Sequence, residues 1–239
     1  MKFSQEYWIN ANDTDLNGIV SAGAVLRYMQ DAANWQMEKQ GPSFDALWEN
    51  GYSFVLSRIA LSIYAPMRSH ELITAQSWAI ASKGYIYQRC YRIVRGDDIV
   101  AEASSAWALL GKDDRKPRRV GEVPLNYSED DPLELDMPLR FRVPQEVQMN
   151  LVGERVIGYS DVDRNGHLNN TRYPDLYCSY LPDMRHKRVI SFSVSFLSEA
   201  PLGESVKVYL GSDDETYYFR SVLPSGKVNA EAEFLLEPV

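Results

Sequence analysis

Residues 161–170 read DVDRNGHLNN, and residues 13–22 read DTDLNGIVSA. Carboxylate, carboxylate and amide oxygens at alternate positions, followed by glycine, are how an EF-hand calcium loop begins. Such a loop needs a bidentate carboxylate at its twelfth position. Here that position is Arg172 counting from Asp161 and Ala24 counting from Asp13. A cation would meet a cation in one copy and a methyl group in the other. The residues before each stretch also alternate like a strand, where an EF-hand requires an entering helix. No metal site is expected, and the paired motif is read instead as the trace of a duplicated fold.

Outward from the two motifs, the same order of elements appears twice. In the first half, residues 23–40 place Leu26, Met29, Ala33 and Met37 at helical spacing, and Gly41-Pro42 ends the run. Strands follow in RIALSIYAP, YIYQRCYRIV and IVAEASSAWALL, rich in β-branched and aromatic residues at period two. In the second half ERVIGYS reads as a strand, and YPDLYCSYL puts Tyr173, Tyr177 and Leu181 on one helical face before Pro182. ISFSVSFLSEAP then sets Phe192, Val194 and Phe196 against Ser191, Ser193 and Ser195, and three more strands follow, the last two joined by a tight turn at SGK, 225–227. Asp15, Asn17 and Gly18 align with Asp163, Asn165 and Gly166 at an offset of 148, and Ala65-Pro66 matches Ala200-Pro201. Residues 112–147, with KPRR and SEDDPLELDMP, suit a linker between the halves, so the reading is an α+β chain with units 1–130 and 131–239. Two independent domains on a flexible linker are the alternative.

Composition narrows the function classes. Of 239 residues, 45% are hydrophobic and 24% charged, and no stretch approaches the ~20 uncharged apolar residues that span a bilayer. The N-terminus lacks a basic segment followed by an apolar core, so no export is expected. Two cysteines, Cys90 and Cys178, form no metal spacing and no disulfide framework, which fits a reducing cytoplasm. A net charge of −8 argues against general nucleic-acid binding. The segment KDDRKPRR, 112–119, is locally basic through Lys112, Arg115, Lys116, Arg118 and Arg119. It reads as a solvated loop or as a dock for an acidic partner.

The two motifs differ where chemistry would need them to. Side chains at 163, 165 and 167 share one side if the chain is extended there, and a helix follows whose first amides could stabilise a developing negative charge. His167, Asn169 and Asn170 replace Ile19, Ser21 and Ala22, and Glu199 stands where the first half has Tyr64. Only the second copy has a histidine and a carboxylate at these positions. The plain alternative is that Asp163 and Asn165 cap a turn, as Asp15 and Asn17 would.

These residues resemble the acyl-[acyl-carrier-protein] thioesterases. The likeness rests on DVDRNGHLNNTRY followed by FLSEAP, with WINANDTDLNG and ASSAWALL in the first half, and covers nearly the whole chain. It implies a tandem double hot-dog fold, two antiparallel sheets each wrapped around a central helix, forming a pseudo-dimer in one chain and leaving a further homodimer open. It also implies hydrolysis of fatty acyl thioesters carried by an acidic acyl carrier protein on phosphopantetheine, with no cofactor. Carried over by position, Asp163, Asn165, His167 and Glu199 are the catalytic candidates. Glu199 is expected as base or water-orienting group, His167 and Asn165 as positioning groups, and Asp163 as an orienting group or, in a variant, a nucleophile. Some members have a cysteine after the glutamate; Ala200 excludes that mechanism here, and Cys178 on the predicted helix reads as core filling. The acyl chain is expected against the first half, with Leu26, Met29, Trp35 and Met37 as candidate lining. An acyl-CoA thioesterase, a non-catalytic acyl-binding module and a dehydratase are the competing readings.

Overall fold

Ser21 opens the longest helix, its Oγ accepting from the Ala24 N–H at 3.2 Å. The computed structural model of the chain describes residues 2–127, 129–213 and 215–239. Helix α1 (Ala22–Gln40) buries Leu26, Met29, Ala33 and Met37, as their spacing predicts, and ends where Gly41 takes a φ of 65° and donates to Met37 O. The first half comprises β1 (Phe3–Trp8), α1, α2 (Phe44–Glu49), β2 (Tyr52–Ile63), β3 (Leu72–Lys83), β4 (Ile86–Arg95) and β5 (Asp98–Gly111). The second comprises β6 (Asn150–Val156), α3 (Arg172–Cys178), β7 (Lys187–Phe196), β8 (Ser205–Asp213), β9 (Thr216–Val222) and β10 (Val228–Pro238).

The strand order is β1-β3-β4-β5-β2-β7-β10-β9-β8-β6, a single ten-stranded sheet whose ladders are all antiparallel. Exchanging the halves reverses this order onto itself. The expected pair of sheets is therefore one sheet, because β2 and β7 pair with each other through Arg58–Ser62 and Ser191–Ser195. Each would otherwise be an exposed, unpaired edge in the middle of the chain. The ladder is symmetric about Ala60↔Ser193, which fixes an offset of 133 between equivalent strand residues.

One core runs through both halves. Tyr177 stacks on Phe219 at a centroid distance of 4.6 Å, and Phe192 on Phe234 at 5.3 Å. The helices meet at Gly23, whose N–H donates to Asp175 Oδ1 at 3.0 Å. A Cβ there would lie 2.3 Å from the same carboxylate, so only glycine permits this approach. Helix α3 is shorter than its apolar face suggests, ending at Cys178 although Leu181 remains buried. β3 escapes the sequence reading because its polar residues Gln76 and Ser77 interrupt the apolar pattern.

The linker is not a free tether. Ser193 and Ser195 Oγ donate to Pro138 O and Phe141 O, each at 2.9 Å, so the serine face of β7 is covered by residues 138–141 and both faces of that strand are buried. Farther back, Trp78 Nε1 donates to Asp131 O at 2.8 Å.

Candidate active site

Each motif folds by the same local bonds. In the second copy Asn165 N–H donates to Asp163 Oδ1 at 2.8 Å, Gly166 N–H to Asp163 O at 3.0 Å, and Asp163 N–H to His167 O at 2.9 Å, with Gly166 at φ 77°. In the first, Asn17 N–H donates to Asp15 Oδ1 at 2.8 Å, Gly18 N–H to Asp15 O at 3.0 Å, and Asp15 N–H to Ile19 O at 2.7 Å, with Gly18 at φ 70°. One oxygen of each aspartate, Oδ1, caps this turn. Each asparagine then reaches the other half: Asn17 Nδ2 donates to Met184 O at 2.7 Å, and Asn165 Oδ1 accepts from Ser53 Oγ at 3.3 Å.

A short bridge brings the glutamate to the histidine. Leu168 N–H donates to Ala200 O at 2.8 Å and His167 pairs with Pro201, which sets His167 Nε2 3.5 Å from Glu199 Oε2. The same bridge in the first half joins Val20 to Met67 and Ile19 to Arg68. The structural partner of Glu199 is therefore Pro66, two residues on from Tyr64. Matching the two Ala-Pro pairs misplaces the register, because similar dipeptides follow the two strands at different distances. The asymmetry stands: where the second half has His167 and Glu199, the first has Ile19 and Pro66.

Asp163, Asn165, His167 and Glu199 all line one cleft of about 460 Å³. His167 is 25% exposed and Glu199 37%, so both are open to water. Three residues that sequence reasoning did not assign join them: Arg115, which forms an ion pair with Glu199, Lys227, and Ser53 on the asparagine. The basic loop at 112–119 thus stands at the rim of the second half's cleft. Lys112 and Arg164 flank Trp48 at 4.2 and 4.9 Å, and Arg164 pairs with Asp45. The expected use of the first amides of α3 is not available. Thr171 N–H donates to Asn169 Oδ1, Arg172 N–H to Asn169 O and Tyr173 N–H to Asn170 O. Cys178 lies elsewhere, beside Asp175 and Asp15, where burial pushes its thiol up and so disfavours the thiolate that a nucleophile needs.

The cleft shares Phe54 with an apolar cavity of about 360 Å³ in the first half. Met37 lines that cavity, whereas Leu26 and Met29 are fully buried in the core and Trp35 is exposed beneath Lys39. Linker residues Val123, Pro124, Leu125 and Tyr127 close another wall.

Family models for the N-terminal and the C-terminal domain of the acyl-ACP thioesterases match residues 1–125 and 146–234. The chain belongs to the acyl-ACP thioesterase family, thioester hydrolases that act on fatty acyl-[acyl-carrier-protein]. Among solved structures, the chain is similar to an acyl-ACP thioesterase from Bacteroides thetaiotaomicron, at 22% identity and a TM-score of 0.88, covering 99% of this chain and 98% of that one. It is also similar to the 12:0-ACP thioesterase from Umbellularia californica, at 16% identity and a TM-score of 0.78, covering 100% and 98%. These likenesses bear on the hot-dog-like fold. No curated protein sequence matches the chain. Among the described residues, no helix is long and apolar enough to cross a membrane.

Proposed function

We propose that Glu199 takes the proton of the attacking water, that His167 and Asn165 position the water and the thioester carbonyl, and that Asp163 holds their loop in shape. The observation that carries this reading is the 3.5 Å approach of His167 Nε2 to Glu199 Oε2, in a cleft that meets an apolar cavity at Phe54. The water oxygen attacks the carbonyl carbon while its proton passes to Glu199. The tetrahedral intermediate then collapses with loss of the thiolate, which recovers that proton, leaving free acid and thiol. The capping bond shared by Asp163 and Asp15 supports an orienting role over direct attack by Asp163. On this reading residues 1–130 house the acyl chain and residues 131–239 carry the chemistry.

Thiol release from an acyl thioester tests the assignment. His167→Ala and Glu199→Gln should each lower kcat by roughly 10²–10⁴-fold, while Cys178→Ala retains turnover. Loss of turnover in Cys178→Ala with the other two intact would overturn it.

The carrier partner follows from charge. Lys112 and Lys116 are exposed on the rim loop, where the acidic protein surface of a carrier would meet them. The Arg115–Glu199 pair is also exposed, and such pairs contribute only about 0–1 kcal/mol, so an arriving phosphate could draw Arg115 away. Reversing Lys112 and Lys116 to glutamate should raise KM several-fold for the carrier-bound substrate and leave the CoA thioester little changed. Equal effects on both thioesters would remove the docking role.

A further inference from the structure

The apolar cavity holds more polar capacity than an alkyl chain can use. Tyr87, Arg89 and Tyr91 face it in succession from β4, roughly 7 Å apart along the strand. Tyr87 packs edge-on against Phe54 at 5.3 Å, where cavity and cleft meet, so Arg89 and Tyr91 lie progressively farther inside. The Arg89 guanidinium is buried; its Nη1 donates to Gln36 Oε1 and to Ser77 Oγ, and the Tyr127 ring lies 5.4 Å from its Cζ. Among the described residues no carboxylate forms an ion pair with it, and Glu129 at the cavity rim is exposed. Two further residues of the lining, Gln30 on α1 and Tyr91 on β4, hold a buried polar atom without a direct hydrogen-bond partner, Nε2 and OH, the Tyr91 hydroxyl lying beside Ser105 and Trp107.

A buried cation is ordinarily paired, and buried donors are ordinarily bonded. A cation without a counter-ion and two unpartnered polar atoms in the lining of one cavity suit an anionic acceptor. An unsubstituted acyl chain supplies none. Building on the thioesterase reading above, we infer that this cavity accepts an acyl chain with an anionic oxygen function at its far end, an ω-carboxyacyl thioester. Its carboxylate would pair with Arg89 and accept from Gln30 Nε2 and the Tyr91 hydroxyl.

The test compares ω-carboxyacyl with ω-methyl thioesters over a series of chain lengths. At the best-fitting length kcat/KM should favour the ω-carboxy substrate by tenfold or more. Arg89→Met should abolish that preference, and Gln30→Leu, which leaves the buried charge and its partners in place, should reduce it. A preference for the ω-methyl substrate at every length, or a ratio unchanged in Gln30→Leu and Arg89→Met, would overturn the inference. The shift in melting temperature given by the free dicarboxylic acid, against the monocarboxylic acid of equal length, reads the cavity without turnover. Stabilisation by the diacid in a protein that cleaves neither thioester would count against the hydrolytic reading and leave the cavity's ligand class standing; no stabilisation from a protein that cleaves the ω-methyl thioester would do the reverse.

Discussion

Glu199 and His167 lie 32 positions apart in the chain and meet because a two-residue bridge, Leu168 to Ala200 and His167 to Pro201, closes the space between them. In the first half Val20 to Met67 and Ile19 to Arg68 form the same bridge, but Ile19 and Pro66 stand in place of His167 and Glu199. Another glutamate shows how environment alone changes a carboxyl. Burial, reinforced by Asp213, pushes Glu233 up to about 7 from an ordinary value of 4.5. Its Oε1 has no hydrogen-bond partner. Between those two values the folded chain binds more protons than the unfolded chain, so the stability Glu233 contributes is present below the unfolded value and lost as pH rises through about 7. Glu233→Gln should therefore raise the melting temperature relative to wild type at pH 8, by roughly 2–4 °C if ~1 kcal/mol is recovered. At pH 5 the difference should shrink, whereas melting curves that differ equally at both pH values would count against this burial argument.

At the scale of elements, the catalytic candidates depend on a buried polar network that sequence reasoning could not see. Asn229, fully buried on β10, accepts through its backbone carbonyl from Leu197 N–H at 2.8 Å and Ser198 N–H at 3.0 Å, and its Nδ2 donates to Ser198 O. Its Oδ1 accepts from Tyr173 OH at 3.0 Å and Ser221 Oγ at 2.9 Å. This network joins α3, β9 and β10 to the backbone that presents Glu199. Asn229→Leu leaves those donors buried and unpaired, which should cost about 1–3 kcal/mol and lower the melting temperature by several degrees. It should also lower kcat, because the segment before Glu199 loses the bond from Nδ2 to Ser198 O. An unchanged kcat in a folded Asn229→Leu protein would show that the support is unnecessary.

The contrast explains what could be read from sequence. Helix α1, β2 and β7 declare themselves because their apolar side chains recur at a regular spacing, every third or fourth residue in α1 and every second in Ile59, Leu61 and Ile63 of β2 and Phe192, Val194 and Phe196 of β7. His167 and Glu199 stood out because a duplicated motif supplies its own control. Asn229 carries no such mark, since an isolated asparagine in VNAEAEF acquires its role only through partners on other strands. Arg115 was legible as part of a basic segment but not as the partner of Glu199, a contact between the two halves. The β2–β7 join was likewise hidden, because hydrophobic alternation shows that a strand exists without naming its neighbour.

The whole molecule is a pseudo-dimer that cannot be divided without cost. One sheet and one core cross the pseudo-twofold near Ala60 and Ser193, and the linker covers the serine face of β7. Thermal unfolding should be one cooperative transition, with calorimetric and van't Hoff enthalpies in agreement. Residues 1–130 or 131–239 produced alone should aggregate through the bare edge of β2 or β7. Two separated transitions, or soluble monomeric halves, would argue for independent domains.

The proposed division of labour between the halves rests on His167 and Glu199 acting as one unit. A double-mutant cycle on kcat for acyl thioester hydrolysis, comparing wild type, His167→Ala, Glu199→Gln and the double variant, tests that directly. If the pair works together, the double variant should be no slower than the slower single variant by more than a few-fold. If the two losses multiply, or if either single variant keeps wild-type kcat, His167 and Glu199 do not form the catalytic unit.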